Sequence, residues 1–203
     1  MEKHRVFISY HHKNDQWAKD YLIEMNKTYK IFTDMSVDTG DIDESLPPQD
    51  IREIIRDDYL KDTSVLVLLV GEETKKRKHI DWEIYSSMRD GKVNKKSGVL
   101  VITLPSSGMT MVTAAHGVDE KNLIHSDISS WRDATNEFDD IYANMPDRIL
   151  DNLKKSTAYV SVVPWSKINN DPHALSNLID LTFKDRAKND YCLSRDMMKY
   201  NRP

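Results

Sequence analysis

Six consecutive aliphatic residues, Val65–Val70, form the most apolar segment of the chain, and Gly71 follows them directly. Six residues are too few to cross a bilayer, which takes about 20 residues in a helix. A short aliphatic run that ends at a glycine is typical of a buried strand. Because every position is apolar, both faces of this strand should be covered, as they are in a parallel sheet with helices on two sides.

Further strand-like segments alternate with amphipathic segments of helical spacing, so we predict an α/β protein. The fold class that fits is a flavodoxin-like, doubly wound, five-stranded parallel sheet of order 2-1-3-4-5 with helices on both faces. The strands are predicted at residues 6–10, 29–33, 64–70, 99–104 and 157–163. Helices are predicted after each of the first three strands, at residues 146–153, and after the Asp171-Pro172 pair, which provides a cap and a first-turn proline.

Two helices are predicted from specific apolar stripes. The first is expected to start at a capping Asn14 or Asp15, and the second is expected to lie between strands two and three. The stripe of the first consists of Trp17, Ala18, Tyr21, Leu22 and Met25. The stripe of the second consists of Ile51, Ile54, Ile55 and Tyr59.

The chain is predicted to be one domain over residues 1–187. Residues 106–145 show little periodicity, and we interpret them as an irregular insertion with a functional role, since structureless segments of this length are uncommon. The remaining residues, 188–203, read as a polar, weakly ordered C-terminal tail.

Composition excludes several classes of function. The net charge of −4 disfavours binding to nucleic acid or to an anionic membrane surface. The six glycines are not spaced as in a Rossmann or Walker phosphate-binding loop. One cysteine, Cys192, allows no intrachain disulfide and no Cys-x-x-Cys zinc pair. With no secretory leader in the sequence, we expect a protein of the reducing cytoplasm.

In a doubly wound sheet, ligands bind beyond the carboxyl ends of the strands, beside strand one. That rule selects Ser9, Tyr10 and His11 at the end of strand one and Asp34 after strand two, and we take these residues as candidate substrate-binding groups. His11 and His12 do not predict a metal site, since adjacent residues at a strand end point to different faces and no third ligand is suitably spaced.

Glu83 is the candidate catalytic residue. The third predicted helix has the core stripe Ile80, Ile84 and Met88, and Glu83 lies on its flank in the first turns, where it can face the cleft. The alternative interpretation is a surface acid favoured by the helix dipole. The preceding basic run, residues 75–78, is either a diphosphate-binding group or, as we favour, a solvated charged segment.

Several short motifs resemble one known family. The opening strand, Arg-Val-Phe-Ile-Ser-Tyr at residues 5–10, resembles that of TIR domains. Residues 63–71 and the helix start at residues 79–84, where Trp82 directly precedes Glu83, are similar to the TIR-like proteins of the bacterial Thoeris anti-phage system, the ThsB family. Residues 159–165 resemble the last strand of that group. The resemblance covers most of residues 4–187.

The resemblance implies cleavage of NAD, as substrate and not as cofactor, with Glu83 as the catalytic residue. Nicotinamide leaves, and the remaining ADP-ribose becomes a messenger, expected to be cyclic, that activates a partner effector in anti-phage defence. Many TIR enzymes have a tryptophan four residues before the glutamate, whereas this chain has His79 there. His79 and Trp82 are therefore both candidates for the ring that stacks on nicotinamide. No metal is implied, while a phage-derived activator and self-association are expected.

Two other functions stay open at this point. A nucleoside deoxyribosyltransferase has a similar sheet order and uses a carboxylate on a similar bond. Many TIR domains are interaction modules that assemble with partners and turn over nothing. Release of nicotinamide, exchange of nucleobases and partner-dependent assembly without turnover distinguish the three.

Overall fold

A computed structural model describes residues 3–36, 50, 54, 55, 57, 60–91 and 94–203 of the chain. The strands are β1 Arg5–Ser9, β2 Thr33–Asp34, β3 Val65–Val70, β4 Gly98–Thr103 and β5 Val160–Pro164. The α-helices of the described part are α1 His12–Tyr29, α2 Lys78–Met88, α3 Gly117–Ile124, α4 Phe138–Ile141, α5 Asp147–Leu153 and α6 Pro172–Asp185.

The five strands form one parallel sheet of order β2-β1-β3-β4-β5, which confirms the predicted fold class. β3 lies at its centre, and all six of its residues are buried. The side chains of Leu66, Leu68 and Val70 pack on one face, while the alternate residues of the strand pack on the other. The aliphatic run is thus buried on both sides because the sheet is covered on both sides.

Each face of the sheet has its own core. On one face, α2 packs its stripe Ile80, Ile84 and Met88 against the sheet together with Ile149 of α5. On the other face, α1 and α6 pack apolar residues of their inner surfaces. The predicted start of α6 is confirmed, since the Asp171 carboxylate accepts a hydrogen bond from the Ala174 N–H at 2.9 Å. This bond satisfies one of the free donors of the first turn.

The predictions for the first helix are wrong in three respects. It starts at His12, with neither Asn14 nor Asp15 as its cap. Trp17 and Tyr21 are 47% and 38% exposed, because their rings lie beside Trp165 at the margin of the sheet and not beneath it. The helix also extends to Tyr29, where Lys30 adopts a left-handed conformation, so the second strand starts at residue 33 and not at 29.

Of the stripe predicted for the second helix, only Ile54 and Ile55 are described, and both are helical. Ile51 and Tyr59 lie outside the described residues. The irregular insertion at residues 106–145 contains the short helices α3 and α4. The domain boundary at residue 187 stays a prediction.

The expectation of a weakly ordered tail is wrong. Tyr191 and Met197 are buried in the core of the face that α2 and α5 cover. The fully buried guanidinium of Arg148 donates to the carbonyls of Arg195 and Asp196 and forms a two-pronged ion pair with Asp81. The tail is polar in composition, but its main chain forms hydrogen bonds with buried charged groups. The pattern of side chains in the sequence does not indicate these main-chain contacts.

Candidate functional site at the end of the first strand

Glu83 lies at the carboxyl edge of the sheet, where the topology places ligand sites. It belongs to the second turn of α2 and is only 6% exposed. The Ser9 hydroxyl at the end of β1 donates a hydrogen bond to the Glu83 Oε2 atom at 2.6 Å. A bond of this length to a carboxylate is a strong, charge-assisted one. Residues 74 positions apart are thereby joined in one site.

A small pocket opens beside this pair. It is lined by Phe7, Ile8, Tyr10, His12, Lys19, Ser36 and Glu83. Its cavity volume is about 20 Å³, close to the space of one water molecule. A nicotinamide ring does not fit this volume, so binding of such a ligand requires the pocket to widen.

Tyr10 forms one wall of the pocket. Its ring stacks on the His12 ring with centroids 4.5 Å apart and planes inclined by 6°. Its hydroxyl donates to the Gln16 side-chain oxygen at 2.7 Å. The two rings give the pocket a flat aromatic border, which is the kind of surface on which a planar ligand can stack.

His11 lies at the side of this site and faces the segment after β3. Burial lowers the pKa of the His11 imidazole, and the nearby Arg77 cation lowers it further, while Glu73 opposes both. The buried Nδ1 atom of His11 has no hydrogen-bond partner in the described structure. A depressed pKa keeps the ring neutral near pH 7, so His11 can offer one donor and one acceptor.

The structure does not bring the other predicted residues to the pocket. Asp34 is exposed and accepts a hydrogen bond from the Ser36 N–H. Trp82 is 4% exposed, and its indole N–H donates to the Met198 carbonyl of the tail at 2.7 Å. The His79 ring lies 5.1 Å from the Trp82 ring. Because consecutive helical residues point about 100° apart, Trp82 and Glu83 face different neighbours.

The sequence analysis missed three polar residues that line the pocket, His12, Lys19 and Ser36, and the apolar Phe7 and Ile8. Ser36 Oγ accepts a hydrogen bond from the Ile8 N–H at 3.2 Å. His12, Gln16 and Lys19 follow the spacing i, i+4, i+7 and thus share one face of α1. That spacing is readable in the sequence, but it identifies a site only once the helix is known to start at His12.

No group of three or more His, Cys, Asp or Glu side chains is arranged to hold a metal ion within the described part of the chain. Within the same residues, no helix has the length and apolar character needed to cross a bilayer.

The fold agrees with a match to a known family. A family model described as "Thoeris protein ThsB, TIR-like domain" matches residues 7–109, just over half of the chain. The chain belongs to the ThsB TIR-like family. The matched segment includes the last three residues of β1 and the whole of β2, β3, β4 and α2, and hence both Ser9 and Glu83. No curated protein matches the sequence.

Membership of this ThsB family accounts for the topology and identifies a TIR-like module of a defence system. The match ends at residue 109, within the first residues of the insertion and before β5 and the tail. The tail residues that contact Trp82 and Arg148 in this ThsB-like chain therefore lie outside the matched segment.

Proposed function

We propose that the chain is an NAD-cleaving enzyme whose product is an ADP-ribose-derived messenger, in cyclic form, that activates a partner effector in anti-phage defence in the cytoplasm. The observation that supports this most directly is the buried carboxylate of Glu83, held by Ser9 at the carboxyl edge of a TIR-like sheet. A carboxylate is the one group that this reaction requires from the protein.

The bond that breaks joins C1′ of the ribose to the ring nitrogen of nicotinamide. Its electron pair moves to that nitrogen, so the positive charge of the pyridinium disappears and neutral nicotinamide departs. The ribose develops oxocarbenium character, which a nearby carboxylate stabilises, as in glycosidases. A nucleophile then forms a new bond to C1′ and loses its proton. Water gives ADP-ribose, and an atom of the ADP-ribose itself gives a cyclic product.

The residues around the pocket have distinct roles in this proposal. Ser9 orients the Glu83 carboxylate through the hydrogen bond to its Oε2 atom. Tyr10 and His12 provide stacking surface for the nicotinamide or ribose. Among the described residues that line the pocket, Lys19 is the one lysine or arginine, and it suits the diphosphate of a dinucleotide. His11, Asp34, His79 and Trp82 remain candidate substrate-binding residues whose roles are untested.

The small volume of the pocket supports an enzyme that is inactive until triggered. A site with room for about one water molecule has to widen before it binds a dinucleotide. Binding of a phage-derived activator, or self-association of the chain, are the events that we propose to favour the wider form. A ligand or partner shifts such an equilibrium only by its preference for that form.

The test compares Glu83→Gln with the wild type. Glutamine keeps the volume of the side chain and its helix, but removes the negative charge. Nicotinamide release from NAD is followed in extracts of phage-infected cells that express each variant, with a melting curve for each purified protein. We expect Glu83→Gln to melt normally and to lose about 10²- to 10³-fold in rate.

Glu72→Gln is the matched control, because Glu72 is an exposed acid of the loop after β3 and should keep full activity. Wild-type turnover by a well-folded Glu83→Gln variant would contradict the assignment of Glu83. Exchange of nucleobases without net nicotinamide release would identify a deoxyribosyltransferase-like enzyme. Partner-dependent assembly with no turnover by the wild type would identify an interaction module.

A further inference from the structure

The outer edge of the sheet is formed by a segment that follows β4. Thr113 exchanges both main-chain hydrogen bonds with Val162 of β5, at 3.0 and 2.9 Å, in antiparallel orientation. The Ala115 N–H donates to the Ser161 hydroxyl at 3.0 Å. The segment around Thr113 therefore lies alongside β5, and its other side is the free edge of the sheet.

The free edge presents main-chain groups at strand spacing. In an antiparallel pair, the residues on either side of a hydrogen-bonded pair direct their N–H and C=O groups away from the partner strand. Val112 and Ala114 flank Thr113, and no hydrogen bond to their main-chain groups is found among the described residues. The main-chain groups of Val112 and Ala114 are thus open to pairing with a further strand.

The edge opens into a cavity of about 840 Å³. Val112 and Ala114 line this cavity together with Ile128, Trp131 and Phe138. We call this space the edge groove. Its volume falls within the range of about 300–1,000 Å³ that is typical of ligand sites.

The edge segment lacks two of the features that usually protect an exposed strand, charged side chains and prolines. Residues 110–115 read Thr-Met-Val-Thr-Ala-Ala, with no charge and no proline. Met111 is 45% exposed. An edge of this composition beside a groove with aromatic and aliphatic residues favours a strand as the occupant.

Charge defines the occupant further. The Lys121 ammonium lies 4.6 Å from the centre of the Trp131 ring, and none of the ion pairs found among the described residues involves Lys121. Arg132, the other lysine or arginine of the described lining, is paired with Glu137. Asp133, an acid of the same lining, accepts hydrogen bonds from the N–H and the hydroxyl of Thr135. Lys121 is therefore available to a carboxylate on the ligand, which it can meet beside an aromatic surface.

We propose that the edge groove binds an extended, acidic peptide segment of a partner protein as an added strand. The main chain of the peptide pairs with Val112 and Ala114, its apolar side chains cover the Trp131 ring, and a carboxylate meets Lys121. Affinity comes from the main-chain bonds and specificity from alternate side chains. The site is formed by other residues than those of the Glu83 pocket, so it does not depend on the proposed enzyme activity.

The test uses a displayed library of random peptides of about ten residues, which exceeds the usual strand length. Peptides enriched on the full-length chain are synthesised and titrated by tryptophan fluorescence and calorimetry. Each is then N-methylated at one position at a time. Methylation removes a main-chain donor from the peptide. We expect methylation at every second position to weaken binding by about 10-fold for each lost pair of contacts, and methylation at the intervening positions to leave binding unchanged.

Two protein variants complete the test. Ala114→Pro removes an outward N–H and leaves the Thr113–Val162 pair intact, so binding should weaken while the melting temperature is retained. Lys121→Glu should reverse the preference of the library from acidic to basic peptides. If Ala114→Pro loses its fold, the methylation series alone decides.

Three outcomes would overturn the proposal. The first is a library that yields no binder. The second is binders that are indifferent to N-methylation and to Ala114→Pro. The third is a wild-type dimer, seen by light scattering, that Ala114→Pro dissociates, since it would make a second copy of the chain the occupant.

Discussion

The Ser9 hydroxyl donates a 2.6 Å hydrogen bond to the Glu83 carboxylate, across the boundary between the end of β1 and the second turn of α2. Both side chains are buried, with 1% and 6% of their surface exposed. A bond from a neutral donor to a buried carboxylate contributes about 1.5–3 kcal/mol, and it also fixes the orientation of that carboxylate. The geometry of the candidate site therefore depends on Ser9, which makes no bond to the substrate in the proposed reaction.

Ser9→Ala should lower kcat for nicotinamide release by about 10-fold with little change in KM, since the carboxylate loses its orientation and not the binding surface. Combining it with Glu83→Gln should add little to the loss caused by Glu83→Gln alone, because the two groups act as a unit. Steady-state kinetics of the four proteins check this. Fully additive losses would show that Ser9 acts independently of Glu83.

Lys19→Met should raise KM for NAD about 10-fold and leave kcat largely unchanged, because a diphosphate contact made far from C1′ stabilises ground and transition states alike. Nicotinamide riboside lacks both phosphates, so its cleavage should be the same in Lys19→Met and wild type. Equal losses with the two substrates would place Lys19 elsewhere than on the diphosphate.

Gly71→Ala should destabilise the fold by about 1–3 kcal/mol, as overpacked core positions do. A methyl group at Gly71 would lie 2.5 Å from the Asp15 Oδ1 atom, and Asp15 is buried. Removing the obstacle with Asp15→Ala should recover part of the loss, which a double-mutant cycle in urea measures. Absence of any coupling between the two sites would contradict the close approach.

The pH dependence of stability should change when Asp15 is replaced. Burial raises the pKa of the Asp15 carboxyl above its ordinary value of 3.8, while a hydrogen bond with Thr74 opposes this effect. The folded state therefore binds the proton more tightly than the unfolded state does. The favourable contribution of the protonated group is present below the unfolded pKa and is lost as pH rises through the folded pKa.

Asp15→Asn carries no titrating group and should not show this loss. The unfolding free energy of Asp15→Asn should exceed that of the wild type at pH 7, and the difference should shrink as pH falls toward about 3.8. Urea unfolding at a series of pH values checks the direction. A difference that grows on acidification would mean that the pKa of Asp15 is lowered in the folded state.

Arg148→Met should cost about 3–5 kcal/mol of stability, since it leaves Asp81 buried without its counter-charge. Adding Asp81→Asn should recover part of that loss. Removal of residues 195–203 should also destabilise the protein, because Arg148, Asp81 and Trp82 all bond to the main chain of the tail. Equal melting temperatures for the truncated and full chains would contradict the packing of the tail.

The sequence by itself determined the elements that depend on local periodicity. A strand that is apolar throughout has to be covered on both faces, so Val65–Val70 indicated the parallel sheet, and the alternation of elements indicated its order. The stripe Ile80, Ile84 and Met88 likewise indicated that Glu83 lies on the flank of α2, since the helical period fixes the relative directions of neighbouring side chains.

Only the tertiary structure decided which distant groups meet. The tail has a polar composition that suggests solvent exposure, yet its carbonyls and N–H groups satisfy Arg148, Asp81 and Trp82. The free edge beside Val112 likewise exists only because Thr113 pairs with Val162. These contacts are made by the main chain, whose N–H and C=O groups recur along the chain whatever the side chain is. Hydrophobic periodicity therefore does not predict them.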